Sequence, residues 1–219
     1  MAFQPHDLID LERYPIDVES AARDAVIAKI RDDLEHDGCA VVRGFLTPAG
    51  VAAIVDEASG VSTKGHRSFN RTNPYFTADD PGLPADDPRR AFYERSNNFI
   101  AADNFRPEGP LRRIFDFAPF DPFIRDCLQA DRFFRYADPL ADVIVNMAEE
   151  GEGFPWHFDT NNYTVTLAIQ NAEQGGAFEY APNIRAQSEN FAEVRKVLDG
   201  KSDRVVSLDL QPGDLQLFK

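Results

Sequence analysis

Residues 154–170 read FPWHFDTNNYTVTLAIQ, where a polar segment with one histidine leads into the β-prone run TVTLAI. The rest of the C-terminal half has the same character, because short β-prone segments alternate with turns rich in glycine and proline. One helix is predicted among them over about 188–199, with Ser188 as its N-cap. The pattern predicts an antiparallel sandwich or barrel. The predicted strands are 142–149, 163–170, 177–181, 204–210 and 215–218.

The N-terminal half is predicted to be mainly helical. Its first two helices have Asp17 and Thr47 as predicted N-caps, and Gly38 is predicted to end the first of them. Short strands are predicted at 39–43 and 92–101. The whole chain is therefore expected to be one α+β domain, helical over about 1–135 with a β core over about 136–219. The predicted helices of this half are 17–37, 48–60, 108–116 and 122–130.

The stretch between about 61 and 91 has no hydrophobic period and is rich in glycine, proline, asparagine, aspartate and arginine. Connections of this length in a compact domain are usually lids, binding loops or disordered segments. We expect the stretch to border a cavity and to move more than the sheet. A plain solvated loop is the alternative.

Composition excludes several classes of function. The chain has 219 residues, with 23 Lys+Arg against 37 Asp+Glu, so its formal charge of −14 disfavours nucleic acid and anionic membrane surfaces. No apolar run approaches the roughly 20 residues that span a bilayer, and the N-terminus lacks the pattern of a signal peptide. Cys39 and Cys127 form no metal or redox motif. They are expected to be buried free thiols of a cytoplasmic protein.

His157 and Asp159 are the candidate site residues. In an extended segment, side chains at i and i+2 point the same way, so an imidazole and a carboxylate share one face. These groups are two-thirds of the 2-His-1-carboxylate facial triad that binds Fe(II) in non-haem oxygenases. We expect both side chains to point into a cavity from the end of a strand. A structural histidine that is hydrogen-bonded to Asp159 is the alternative.

Four segments taken in order carry a resemblance to a known family: Trp156–Asn161, Tyr163–Leu167, Gly175–Tyr180 and Pro212–Phe218. They resemble the core of Fe(II)/2-oxoglutarate-dependent oxygenases, most closely the bacterial group that hydroxylates or halogenates free amino acids. The resemblance implies a double-stranded β-helix (a jelly-roll, cupin-like core) with N-terminal helices. It also implies Fe(II), 2-oxoglutarate and O₂ as metal, cosubstrate and oxidant.

The same resemblance assigns roles to the candidate pair. It makes His157 and Asp159 iron ligands and catalytic residues. Halogenating members carry glycine or alanine in place of the carboxylate, so Asp159 implies hydroxylation of a small polar substrate, such as an amino acid or a derivative.

The family's second histidine ligand and its 2-oxoglutarate-binding arginine follow the strand that corresponds to 215–218. They are therefore expected beyond Lys219, and the sequence is expected to be incomplete at its C-terminus. A chain ending at Lys219 is expected to be inactive. Two alternatives stay open: a non-catalytic β-helix binding module without the distal ligand, and a cupin-like zinc or manganese enzyme.

Three further residues are candidates for binding the cosubstrate: Asn146, Thr166 and Arg95. Asn146 interrupts an apolar run, and Thr166 lies within a predicted strand. Arg95 is suited to a bidentate pair with a carboxylate. For Asn146 a turn or backbone partner is equally consistent, and for Arg95 a surface ion pair with Glu94 or Asp103. No substrate-binding residue, protein partner or oligomeric state follows from the sequence.

Overall fold

The computed structural model describes residues 3–185 and 188–218. Helices and antiparallel sheets are mixed along these two ranges. The helices are α1 (Pro5–Leu8), α2 (Ala21–Asp37), α3 (Pro48–Val61), α4 (Pro110–Phe115), α5 (Phe120–Leu128) and α6 (Phe191–Leu198). The strands are β1 (Cys39–Val42), β2 (His66–Thr72), β3 (Tyr93–Ile100), β4 (Val145–Met147), β5 (Thr164–Leu167), β6 (Phe178–Tyr180), β7 (Val206–Leu208) and β8 (Leu215–Phe218).

The strands form two three-stranded sheets, ordered β1-β8-β5 and β2-β3-β4, and a two-stranded sheet of β6 and β7. All pairings are antiparallel. The mixed helix and sheet content agrees with the predicted α+β class. The predicted division at about 135 is less sharp than expected, because β1, β2 and β3 precede it and pair with strands on both sides of it.

Local capping explains where the helices begin. Helix α2 starts at Ala21 and not at 17, because the Ser20 hydroxyl, and not Asp17, accepts a hydrogen bond from the N–H of Arg23. Gly38 ends the helix at φ 65°, as predicted. Thr47 caps α3, also as predicted. No helix within the described ranges is long and apolar enough to cross a membrane.

Three other predictions of local structure need correction. Helix α4 starts at Pro110, two residues later than predicted, and α6 is capped by Asn190 and not by Ser188. The stretch 61–91 is not structureless, because β2 lies within it and pairs with β3 over seven residues. Its polar sequence conceals the strand, since most of its side chains are exposed.

The main core forms where sheet β1-β8-β5 packs on the helices. Leu215 and Leu217 of β8 are buried on one face of the sheet. Side chains of α2 and α5, such as Ile30 and Phe123, cover that face. Both cysteines are buried free thiols, as expected, and burial raises the pKa of Cys127 to about 12. A small separate cluster around Ile184 and α6 is also packed by side chains from the candidate site segment.

Asp214 fixes the turn that leads into β8. Its side chain is 2% exposed and accepts hydrogen bonds from the N–H groups of Gly44 and Gln211, at 2.8 and 2.9 Å. The Arg43 guanidinium lies 2.7 Å from the same carboxylate. This carboxylate therefore links the end of β1 to the start of β8.

We expect Asp214→Ala to lower the free energy of unfolding by about 2–3 kcal/mol, because two backbone donors lose a charged acceptor inside the protein. Urea unfolding measures the change. Asp203→Ala is the matched control, since Asp203 is exposed near the same end of the chain. Equal stability of the two variants would contradict a structural role for Asp214.

Candidate metal centre

His157 and Asp159 lie next to each other, as predicted. His157 Nε2 is 3.3 Å from Asp159 Oδ1. The predicted strand is wrong, however, because 157–159 has no regular structure and β5 begins only at Thr164. The i, i+2 alternation still holds in this irregular segment. Trp156 and Phe158 pack against the Ile184 cluster, as the alternation requires.

A backbone carbonyl fixes the His157 imidazole. Its Nδ1 lies 2.7 Å from the carbonyl oxygen of Pro155. A carbonyl oxygen can only accept, so Nδ1 carries the proton. Nε2 is then the ring nitrogen directed at Asp159. Metal-binding histidines are oriented in the same way, with the second nitrogen donating to a carbonyl or carboxylate.

The Asp159 carboxylate is held from both sides. Thr164 donates its hydroxyl to Oδ2 at 2.7 Å, which leaves Oδ1 facing the imidazole. The contact with His157 is the main cause that holds the pKa of Asp159 below its ordinary value. The Thr164 bond and the charge of Arg95 act in the same direction, against the desolvation that raises it. Asp159 is therefore ionised at neutral pH.

The pair fits two positions of a metal ligand set. Two ligands that each lie about 2.1 Å from one metal, at right angles, are about 3 Å apart. The observed 3.3 Å between nitrogen and oxygen is close to that separation. A facial triad needs a third ligand. Within residues 3–185 and 188–218, no group of three or more His, Cys, Asp or Glu side chains is placed to hold a metal.

Among the predicted cosubstrate residues, Arg95 is connected to the pair through the Phe76 ring, which contacts both its guanidinium and the His157 ring. Its guanidinium carbon lies 5.5 Å from the ring centre of Phe76 and 5.4 Å from that of Phe154. Its Nε is buried without a hydrogen-bond partner among the described residues. The alternative is not observed, since no ion pair joins Arg95 to Glu94 or Asp103 in the part of the chain that the structure describes.

Asn146 and Thr166 are farther from the pair. Asn146 is exposed in the middle of β4, opposite Phe99. Thr166 donates to the Gln216 side chain at 3.1 Å. Thr166 shares a face of β5 with Thr164, because the two are separated by one residue. Gln216 was not predicted, although a glutamine between two leucines is the signal of a polar inner position.

A groove of about 810 Å³ lies beside the pair, along β2, β3 and the segment 151–155. Arg95 and Phe154 line it, and so do Phe69, Asn70 and Arg71 from the stretch 61–91. His157 and Asp159 are not among the residues that line this groove, and their orientation into a cavity stays a prediction. Contacts instead connect the groove to the pair, from Arg95 to the Phe76 ring and on to the His157 ring, 5.5 Å away.

The buried Asn73 fixes the turn that carries Phe76. Asn73 is fully buried, and its Oδ1 accepts from the N–H groups of Tyr75 and Thr77 at 2.9 and 3.3 Å. Its Nδ2 donates to the carbonyls of Thr77 and Arg89 at 2.9 and 2.7 Å. The next residue, Pro74, accepts from the N–H of Phe158 at 2.9 Å. The turn is thereby attached to the segment that carries the candidate ligands.

No protein-family model matches this sequence, and no curated protein matches it. The assignment of this site therefore depends on the distances and hydrogen bonds described above.

We expect Co²⁺ to quench the fluorescence of Trp156, the only tryptophan of the chain, because it directly precedes His157. His157→Ala should abolish the quenching, since one of two adjacent ligands is lost. A fluorescence titration measures the effect, with His36→Ala as control because His36 is exposed at the end of α2. Undiminished quenching in His157→Ala would place the metal elsewhere.

We expect amide hydrogen exchange to be slow in one part of the stretch 61–91 and fast in another. The amides of Tyr75 and Thr77 should exchange slowly because Asn73 binds them, whereas those of 80–86 should exchange fast, since most residues there are exposed. Asn73→Ala should accelerate exchange at Tyr75 and Thr77. Uniformly fast exchange across 73–86 in the unaltered protein would contradict a fixed turn.

Proposed function

We propose that this protein is an Fe(II)/2-oxoglutarate-dependent dioxygenase that hydroxylates a small polar substrate, such as an amino acid or a derivative. The observation that carries the proposal is the His157–Asp159 pair. A backbone carbonyl fixes the tautomer of the imidazole, and a hydroxyl anchors the far oxygen of the carboxylate. Each group thus has one outer partner and directs one free donor atom at its neighbour, as adjacent ligands of one metal do.

The proposed fold is a double-stranded β-helix. Its support is the packing of the β6-β7 sheet on sheet β1-β8-β5, where the rings of Phe178 and Phe218 lie 5.4 Å apart. Phe218 is on the same face as Gln216, and the register places Thr164 and Thr166 on that face too. A second layer that covers a polar inner face is consistent with a jelly roll.

Fe(II) with bound 2-oxoglutarate supplies the activation of O₂ that the oxidation of a C–H bond requires. In the proposal, His157 Nε2 and Asp159 Oδ1 hold the metal. Thr164 keeps Asp159 in the orientation that presents Oδ1.

Arg95 is the proposed anchor for a carboxylate of the cosubstrate or substrate. Its buried Nε has no hydrogen-bond partner among the described residues, and a guanidinium can bind a carboxylate through two parallel hydrogen bonds. The rings of Phe76 and Phe154 contact its guanidinium, with their centres 5.5 and 5.4 Å from the guanidinium carbon. Thr166 and Asn146 remain weaker candidates for the same task, because neither contacts the pair in the described structure.

The carboxylate of Asp159 favours hydroxylation over halogenation. A halide needs a free metal position, and in the halogenating members of the family that the sequence resembles, glycine or alanine stands in place of this carboxylate. A binding module that catalyses no reaction is the second candidate, since the described residues supply two metal ligands and not three.

We expect the protein expressed from its whole reading frame to release succinate from 2-oxoglutarate in the presence of Fe(II), O₂ and one member of an amino-acid panel. Asp159→Ala should abolish the release because a metal ligand is lost. Arg95→Met should raise the KM of the cosubstrate or substrate whose carboxylate Arg95 binds about 10- to 100-fold. The loss of a charge-assisted hydrogen bond of about 1.5–3 kcal/mol implies a change of this size.

His36→Ala is the control and should release succinate at the unaltered rate. Metal analysis of the purified protein separates iron from zinc or manganese. Metal and 2-oxoglutarate binding without succinate release from any substrate would favour the binding module.

A further inference from the structure

Phe76 has a backbone conformation that an aromatic side chain rarely adopts. Its φ is 55°, in the left-handed region, where a bulky residue is an outlier. Such conformations persist only where the surroundings impose them, and they concentrate at functional sites. The Asn73 turn imposes this one, because it binds the backbone on both sides of Phe76, at Tyr75 and Thr77.

The ring of Phe76 lies between two groups of the candidate site. Its centre is 5.5 Å from that of the His157 ring and 5.5 Å from the guanidinium carbon of Arg95. Phe154 contacts the same guanidinium at 5.4 Å. We name Phe76 and Phe154 the aromatic clamp. Aromatic faces attract a guanidinium by cation–π interaction, so the clamp fixes where the charge of Arg95 lies.

The Phe76 ring lies between Arg95 and the His157–Asp159 pair, since its centre is 5.5 Å from the guanidinium carbon and 5.5 Å from the centre of the imidazole. Within the described ranges Asp159 forms no ion pair with Arg95, and its Oδ1 lies 3.3 Å from Nε2 of His157. Arg95 Nε has no partner there either. A guanidinium that can reach a carboxylate commonly forms a bidentate pair with it. The Phe76 ring is the contact that can prevent such a pair here.

We propose that Phe76 is a positioning residue whose ring, together with Phe154, holds the Arg95 guanidinium off Asp159. Asp159 Oδ1 thereby stays available to a divalent cation, and the Arg95 N–H groups stay available to an anionic ligand. Without the ring, Arg95 moves onto Asp159 and neutralises both sites at once. The part that concerns the cation rests on the proposed function, whereas the part that concerns Arg95 and Asp159 does not.

The first test needs no metal. Phe76→Asn removes the ring but suits the left-handed backbone, so the variant should fold with an unchanged or raised Tm. Arg95→Met and Asp159→Asn are made singly and together, in the unaltered and in the Phe76→Asn background. Urea unfolding in EDTA gives the coupling between the two charges. The coupling should be larger in the Phe76→Asn background, and equal coupling in both backgrounds overturns the proposal.

The second test measures Co²⁺ binding through Trp156 fluorescence. Phe76→Asn should weaken binding about tenfold, the usual effect of losing an outer partner of a metal ligand. Phe76→Tyr keeps the ring and should bind as the unaltered protein does. Adding Arg95→Met to Phe76→Asn should restore the affinity, because the competing cation is gone.

The rescue separates this role from simple packing. If Phe76 only supported the imidazole, Arg95→Met would not restore Co²⁺ binding, and that result overturns the proposal. If the unaltered protein binds no Co²⁺ at His157, the proposed function fails, while the urea comparison still decides the role of Phe76. A Phe76→Asn variant that does not fold is replaced by Phe76→Gly in the same comparisons.

Discussion

Strand β8 lies between β1 and β5, and this pairing joins the first strand of the chain to the last in one sheet. Alternation along β8 then sets the two faces of the sheet. Leu215 and Leu217 complete the main core, while Gln216 between them is buried on the opposite face. The polar face can exist only because its groups bond one another, as Thr166 and Gln216 do.

The candidate site forms where that polar face meets an irregular segment. Thr164, the first residue of β5, donates to Asp159, so the sheet positions the carboxylate. The imidazole is positioned differently, by the Pro155 carbonyl and by the attachment of Phe158 to Pro74. The sheet therefore positions the carboxylate, and hydrogen bonds of irregular backbone position the imidazole. Loops on a rigid scaffold commonly carry binding residues for this reason.

Local signals in the sequence were sufficient for some features and not for others. Thr47 and Gly38 were identified as caps because capping depends on a few adjacent residues. The nearness of His157 and Asp159 followed from i, i+2 alternation, which holds even outside a strand. Strand β2 and the inner position of Gln216 could not be recognised so directly, because each depends on a partner strand distant in sequence.

Phe76 shows why the rest of the site escaped prediction. Nothing in its neighbourhood marks a left-handed residue, since the turn depends on the buried amide of Asn73 and on a bond to Arg89, sixteen residues away. The strain of that conformation brings no core burial, because the Phe76 side chain is among the exposed large hydrophobic groups. Instead of packing in the core, the ring contacts His157 and Arg95. Within the described ranges the Arg95 guanidinium has no ion-pair partner, so a strained, exposed ring between it and an imidazole is better explained by the site than by stability.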